Sequence, residues 1–246
     1  MMTVRTYLSA LMVLSSLQVS AQLPYQIRPA VDVPVYGVSL GLAAVNWQLG
    51  DRLEPWTEAE LQLLEPRNVS ALDAVALNRW NPSAGTRSDV GMLAAFGAAG
   101  LSVLAQTPRE QWVRDGAVLG SLWFQTNLST LMVTDLVKNS VKRNRPFVYY
   151  DAAPLADRME SDARKSFFSG HSSMTACNAV FAAKVWTDLH PGSKWTPWVW
   201  SAAAAVPAYV AWQRVEAGKH YPSDVLVGLA VGAAMGYLIP QIHLAR

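Results

Sequence analysis

The chain has 246 residues, of which 51% are hydrophobic and 15% charged, with a formal net charge of +2. That length suits one substantial domain rather than two. The near-neutral charge excludes a nucleic-acid-coating surface, so nucleic acid is not an expected partner. Cys177 is the single cysteine, which excludes an internal disulfide, and its place in an apolar helical stretch argues against a reactive thiol.

Residues 1–21 read as a targeting segment: Arg5 supplies positive charge, Tyr7 to Val19 is mostly apolar, and Val19, Ser20 and Ala21 leave small residues at a cleavage point. A cleaved signal peptide over 1–21 and a single domain over 22–246 are expected. An uncleaved anchor helix is the alternative, and both imply export.

Beyond the leader, apolar stretches recur at 34–50, 90–106, 116–137, 171–187, 195–212 and 222–240, separated by polar connections. No alternating strand pattern and no fixed-length repeat persists, so the expected fold is all-α: a bundle of about five or six core helices, transmembrane in character. Pro34, Asn46 and Gln48 weaken 34–50 as a span and favour an interfacial or packed position. Residues 51–88 form a polar extramembrane connection with helix-start signatures at Thr57–Glu60 and Ser70–Asp73. Its acidic residues, and Asp89 beside them, read as a solvated face, since no histidine accompanies them. In the last stretch Gly228, Gly232 and Gly236 line one helix face for close backbone approach.

Loop charges suggest an orientation. Arg109, Arg114, Lys194 and Arg246 mark the cytoplasmic side, which puts 138–170 and 213–224 on the opposite side. Trp195, Trp198 and Trp200 suit an interfacial belt or a packed core equally.

Three clusters place polar and basic residues at apolar helix ends. Lys138 ends a long helix, and Arg145 follows seven residues later, before a proline that stops helical structure. Ser169, Gly170 and His171 stand immediately before a helix expected to start near Ser172, whose first N–H groups point outward, an arrangement that binds phosphate. Arg214, His220 and Asp224 form the third group, with Asp224 four residues after His220 and Pro222 in a first helical turn. Taken singly each has an ordinary explanation, as a lipid-headgroup anchor, a helix cap or a structural histidine. Their co-occurrence points to one anion site.

In these residues the chain resembles the type 2 phosphatidic acid phosphatase (PAP2) superfamily, which includes bacterial acid phosphatases and vanadium haloperoxidases. The family pattern of Lys-x6-Arg-Pro, Pro-Ser-Gly-His and Ser-Arg-x5-His-x3-Asp is matched in order and internal spacing over about 138–240, with Phe168 in place of the proline and Gln213 in place of the serine. The resemblance implies that His220 attacks phosphorus, that Asp224 orients and stabilises its ring, and that His171 protonates the leaving oxygen and then activates water. It also implies that Lys138, Arg145, Ser169, Gly170 and Arg214 bind the phosphate, with no cofactor and no metal. His171, His190, His220 and His243 lack paired metal-ligand spacing, and His190 and His243 look peripheral. Lys142, Arg143 and Lys165 read as solvated loop charges that can attract a headgroup.

The expected function is hydrolysis of a lipid-linked phosphate or diphosphate through a phosphohistidine, at the outer face of a bacterial inner membrane. A soluble periplasmic acid phosphatase is the first alternative. A vanadate-dependent haloperoxidase and a non-catalytic membrane protein that binds anionic lipids are more remote. Oligomeric state is not written in these motifs.

Overall fold

A computed structural model describes residues 23–50, 53–66, 69–106 and 112–245. The leader expected at 1–21, and Arg109 and Arg246 of the orientation pattern, lie outside the described residues.

Among the described residues, six long helices form the bundle. They are α1 (Pro29–Gly50), α4 (Pro82–Ala105), α5 (Trp112–Val141), α7 (Gly170–Leu189), α8 (Thr196–Glu216) and α9 (Pro222–Ile242). Short helices α2 (Glu58–Gln62), α3 (Ala71–Ala74) and α6 (Leu155–Met159), with 3-10 turns at Pro146–Tyr149 and Ser161–Arg164, fill the connections. Each long helix covers one of the apolar stretches read from the sequence.

Local chemistry sets the boundaries. The Asn81 side chain accepts from the Ala84 N–H at 3.1 Å and Pro82 occupies the first turn of α4, where a missing N–H costs nothing. Thr57 and Glu60 form the reciprocal capping box of α2, and Ser70 caps α3. At the end of α8, Gly218 takes φ +70, a backbone geometry that side chains with a Cβ resist, and its missing Cβ lets Arg79 O approach.

Packing around α7 organises the bundle. Gly228, Gly232 and Gly236 put the backbone of α9 directly on that of α7, at Ser169 O, Ser173 O and Cys177 O. Close backbone approach lets dispersion contacts act along the whole helix pair where little hydrophobic driving force exists. Cys177 is buried and free, as expected. Below the site, Tyr25, Leu119, Leu122, Phe181 and Val185 form the main apolar cluster.

Helices α1, α4 and α9 are long and apolar enough to cross a membrane. Large apolar side chains remain exposed on the outer faces, including Val38, Leu40 and Trp47 of α1 and Leu93 and Leu101 of α4. A water-soluble fold seldom leaves so much apolar surface open, and a lipid surround covers it at no cost. This is a membrane protein fold.

The segment 34–50 takes one of its two expected positions, packed on the bundle: α1 is 22 residues long and lies against α5. Pro34 sits in its second turn, and Asn46 is satisfied because its side-chain amide donates to Met132 O at 2.9 Å. Two expectations need correction. His243 is not peripheral: it is fully buried, with Nε2 3.2 Å from Asp32 Oδ1, in a polar knot that Gln125 joins by donating to Asp32 at 2.5 Å. The acidic residues near 51–88 are not all solvated either, because Asp73 is buried and paired.

Candidate active site

One end of the bundle collects the C-terminal ends of α5 and α8 and the N-terminal ends of α4, α7 and α9. All eight sequence-identified residues lie there. Lys138 is in the last turn of α5, and its Nζ stands 3.4 Å from where a Cβ on Gly170 would be, which places the ammonium beside the start of α7. Ser169 is the N-cap of α7 and accepts from the Ser172 N–H and the Ser172 hydroxyl, at 3.4 Å and 3.0 Å. The Ser169 hydroxyl keeps its own proton as a donor. Helices end with N–H groups that lack intrahelical partners and carry partial positive charge. Gly170 and His171 present such groups.

Arg145 is held by the loop after α5. Its backbone N–H donates to Ala163 O at 2.8 Å, Nε donates to Asp162 O at 2.9 Å, and the guanidinium pairs with the Asp162 carboxylate at 2.6 Å. Burial pushes Asp162 upward, but Arg145 and Lys138 win and hold its carboxyl below the usual range. The cap that fixes this loop is apolar: Phe147, Val148 and Ala163 pack with Leu61 of α2. Lys219 lies over the rings of Trp80 and Phe147 at 4.6 Å and 4.5 Å, which ties the same cap to the turn before His220.

His220 is 1% exposed, and both of its ring nitrogens lack a hydrogen-bond partner. Burial is the main force that pushes its pKa well below 6.5, and the positive charges of Arg145, Arg214 and Lys138 act in the same direction. The ring is therefore neutral at pH 7, with a lone pair available. Asp224, one helical turn onward, has Oδ2 3.6 Å from His220 Nδ1, beyond hydrogen-bond length. Its oxygens are otherwise engaged: Ser166 donates to Oδ2 at 2.5 Å, the Tyr221 N–H donates to Oδ2 at 3.0 Å, and Arg143 donates to Oδ1 at 2.5 Å.

Arg143 is thus not a solvated headgroup attractant. It pairs with Asp73 at 2.8 Å as well as with Asp224, and its guanidinium lies 4.0 Å over the Tyr221 ring. Asp73 also accepts from the Ser223 N–H and hydroxyl, so α3 is pinned to the start of α9 beside the site. Like charges repel and buried carboxylates need donors, which explains why the acid-rich connection folds over the basic end.

Arg214 is buried, and its Nη1 donates to Ser88 Oγ at 3.0 Å and lies 3.5 Å from Asp89 Oδ1. His171 Nε2 is 2.7 Å from the same Asp89 oxygen. Gln213, where the family pattern has serine, is buried and accepts from Arg87 Nε at 2.8 Å, so the departure creates a link to α4. Phe168, the other departure, is buried against the rest of the fold. Sequence reasoning missed Arg87, Ser88 and Asp89, Asp73 with Arg143, and Asp162 as site neighbours. The polar run Arg87-Ser88-Asp89 just inside an apolar helix was the available signal for the first group. Among the described residues no group of three or more His, Cys, Asp or Glu is arranged to hold a metal ion.

A cavity of about 350 Å³ opens between α4, α5 and α7. Its walls include Met92, Leu93, Phe96 and Leu131, and Lys138 and Gly170 lie at one end. Lys138 and Gly170 are thus shared between the basic cluster and a mostly apolar groove.

Comparison with known proteins finds relatives over about half of the chain. A lipid A 1-phosphatase of Rhizobium johnstonii is 34% identical over 130 residues, 52% of this chain and 49% of that protein. Phospholipid phosphatase 2 of Rattus norvegicus is 32% identical over 142 residues, 49% of this chain and 51% of that protein. A decaprenylphosphoryl-5-phosphoribose phosphatase of Mycobacterium tuberculosis is 30% identical over 107 residues, 44% of this chain and 51% of that protein. The chain spans about half the length of these curated relatives. The crystal structure of a transmembrane PAP2 type phosphatidylglycerolphosphate phosphatase from Bacillus subtilis has the same fold, with TM-score 0.52 and 23% identity, over 86% of this chain and 94% of that one. The PAP2 superfamily model matches residues 118–246, which include the segments that build the basic pocket, and on that match the chain belongs to the PAP2 superfamily.

Proposed function

We propose that the chain is a phosphatase that removes phosphate from a lipid through a phosphohistidine on His220. One observation carries the reading: a buried, neutral imidazole with unpartnered ring nitrogens is surrounded by Lys138, Arg145 and Arg214. A structural histidine in a core is ordinarily hydrogen-bonded, whereas a nucleophile must keep a nitrogen for its substrate.

In the first half-reaction a His220 nitrogen attacks phosphorus and a P–N bond forms as the bond to the leaving oxygen breaks. His171 supplies the proton that this oxygen takes. In the second half-reaction a water oxygen attacks phosphorus, its proton passes to His171, and the P–N bond breaks to release phosphate. Lys138, Arg145 and Arg214, together with the Ser169 hydroxyl and the first N–H groups of α7, neutralise the phosphoryl oxygens in both steps. Asp224 stabilises positive charge on the His220 ring from 3.6 Å and is itself fixed by Ser166, Arg143 and the Tyr221 N–H. The apolar groove beside Lys138 supports a lipid substrate, because a hydrocarbon tail can lie there while the headgroup meets the cations.

Phosphate release from a lipid phosphate, measured in detergent with excess chelator for the natural chain and for His220→Ala, tests the proposal. Release from the natural chain that persists in chelator and vanishes in the variant supports it. Equal release from both refutes it.

For orientation, we place the site end at the outer face of a bacterial inner membrane, since Arg114 and Lys194 mark the other end. Helix α1 begins at that other end: the Gln26 N–H donates to His243 O at 3.0 Å, beyond the C-terminal end of α9. An outward site therefore requires the residues before α1 to remain on the cytoplasmic side, and removal of a leader at the outer face goes with the reverse orientation. Labelling of Ser161→Cys by a membrane-impermeant thiol reagent in intact cells distinguishes the two, because Cys177 is buried.

A further inference from the structure

The second turn of α4 lays three consecutive side chains against the site: Arg87 on Gln213, Ser88 on Arg214, and Asp89 on both His171 and Arg214. Asp89 stands out because it is an acid among cations. Its side chain is 55% exposed, so its place is not forced by core packing.

The chemistry of the leaving group gives this carboxylate a task. An alcohol departs from a phosphomonoester as an alkoxide, a poor leaving group that needs a proton in the transition state. From a diphosphate the departing group is an alkyl phosphate, already a stable anion, and it needs none. His171 can serve an alkoxide only if its ring carries a proton to give. Burial pushes the His171 ring below its ordinary 6.5, to about 4, and the positive charges of Arg214 from α8 and Lys138 from α5 act in the same direction; His220 from the loop before α9 also faces it. Asp89, from α4, is the carboxylate at hydrogen-bond distance that favours a protonated ring, at 2.7 Å. The same negative charge weighs against a leaving group that is itself an anion.

We infer that Asp89 is a positioning residue that offsets burial and the neighbouring cations in favour of a proton on His171, and that it thereby favours phosphomonoesters of alcohols over diphosphates. The inference rests on the phosphatase reading above. In the favoured reaction the P–O bond breaks with its electron pair on the departing oxygen, the His171 proton joins that oxygen, and the new P–N bond forms at His220.

The test compares kcat/KM for dodecyl phosphate and dodecyl diphosphate in detergent, for the natural chain, Asp89→Asn and Asp89→Glu. The natural chain prefers the monoester. In Asp89→Asn, monoester turnover falls roughly 10- to 100-fold, part of the range that general acid catalysis supplies, and diphosphate turnover falls less, so the ratio drops by about tenfold or more. Asp89→Glu restores most of the ratio. A ratio unchanged in Asp89→Asn, or a natural chain that prefers the diphosphate, overturns the inference. Should the natural chain release phosphate from neither substrate, the phosphatase reading fails on its own. Asp89 is then judged by the ¹⁵N titration of the His171 ring, assigned by its loss in His171→Gln: a lower midpoint in Asp89→Asn supports the pairing, and an unchanged midpoint overturns it.

Discussion

Asp224 Oδ2 lies 3.6 Å from His220 Nδ1 and is held by the Ser166 hydroxyl at 2.5 Å and the Tyr221 N–H at 3.0 Å. The carboxylate is thus built into the fold more firmly than into a hydrogen bond with the imidazole. Its effect on the ring is chiefly electrostatic, and it grows when His220 becomes positively charged on phosphorylation.

Replacing Asp224 by Asn removes that charge while keeping the shape. Turnover should fall on the order of 10²- to 10⁴-fold, the range for groups that support proton transfer and nucleophiles, with a smaller change in KM. Steady-state kinetics on a lipid phosphate check this. Ser166→Ala leaves the charge in place and should cost less than Asp224→Asn.

Arg143 joins Asp73, Asp224 and the Tyr221 ring, and so connects the α3 connection to the start of α9. Arg143→Ala leaves two mostly buried carboxylates short of a donor. Stability should drop by about 2–5 kcal/mol, the scale for truncating one member of a buried charge pair, as measured by chemical unfolding in detergent. Arg143→Lys should recover only part, since an ammonium cannot reach both carboxylates with a planar fork.

The α7–α9 contact makes a sharper structural prediction. A methyl on Gly232 would collide with Ser173 O, whereas one on Gly120 in α5 meets nothing within 4 Å. Gly232→Ala should destabilise by at least about 1–3 kcal/mol and lower activity, because α7 carries Gly170 and His171. Gly120→Ala should be neutral or stabilising by up to about 1 kcal/mol. Thermal unfolding of both variants provides the comparison.

The buried state of His220 also affects stability as a function of pH. Its pKa is depressed in the folded chain, so as pH falls below the ordinary value of 6.5 the unfolded chain binds a proton that the folded chain refuses. This group's contribution is therefore favourable above that pH and is lost progressively as pH falls toward the depressed value. His220→Gln, which does not titrate, should flatten the decline in unfolding free energy between about pH 7 and pH 5.

Much of this site was legible in the residues themselves. Lys138, Arg145, Ser169, Gly170, His171, Arg214, His220 and Asp224 are close in sequence within each cluster, so helix ends and fixed spacings place them without knowledge of the tertiary fold. The six apolar stretches likewise announce the six long helices, because a long run of apolar residues between polar connections needs no distant partner to be read as a helix. What escaped was the partner set. Asp73, Asp89 and Asp162 reach the site only after chain segments distant in sequence pack together, and an isolated carboxylate in a polar loop looks the same whether it ends in solvent or against an arginine. Arg143 was misread for the same reason. His243 was misread because its partner, Asp32, lies 211 positions away.

The central claim is that phosphate passes through a covalent bond to His220. It is tested most directly by mixing the His171→Ala variant with an aryl phosphate, whose leaving group needs no acid, quenching in base, and locating the phosphoryl group by mass spectrometry. Slowed attack by water should let an acid-labile, base-stable phosphoryl group accumulate on His220, with one equivalent of aryl alcohol released in the burst. Aryl alcohol release with phosphate on another residue, or with no phosphoryl group on the protein at any time, would contradict the account.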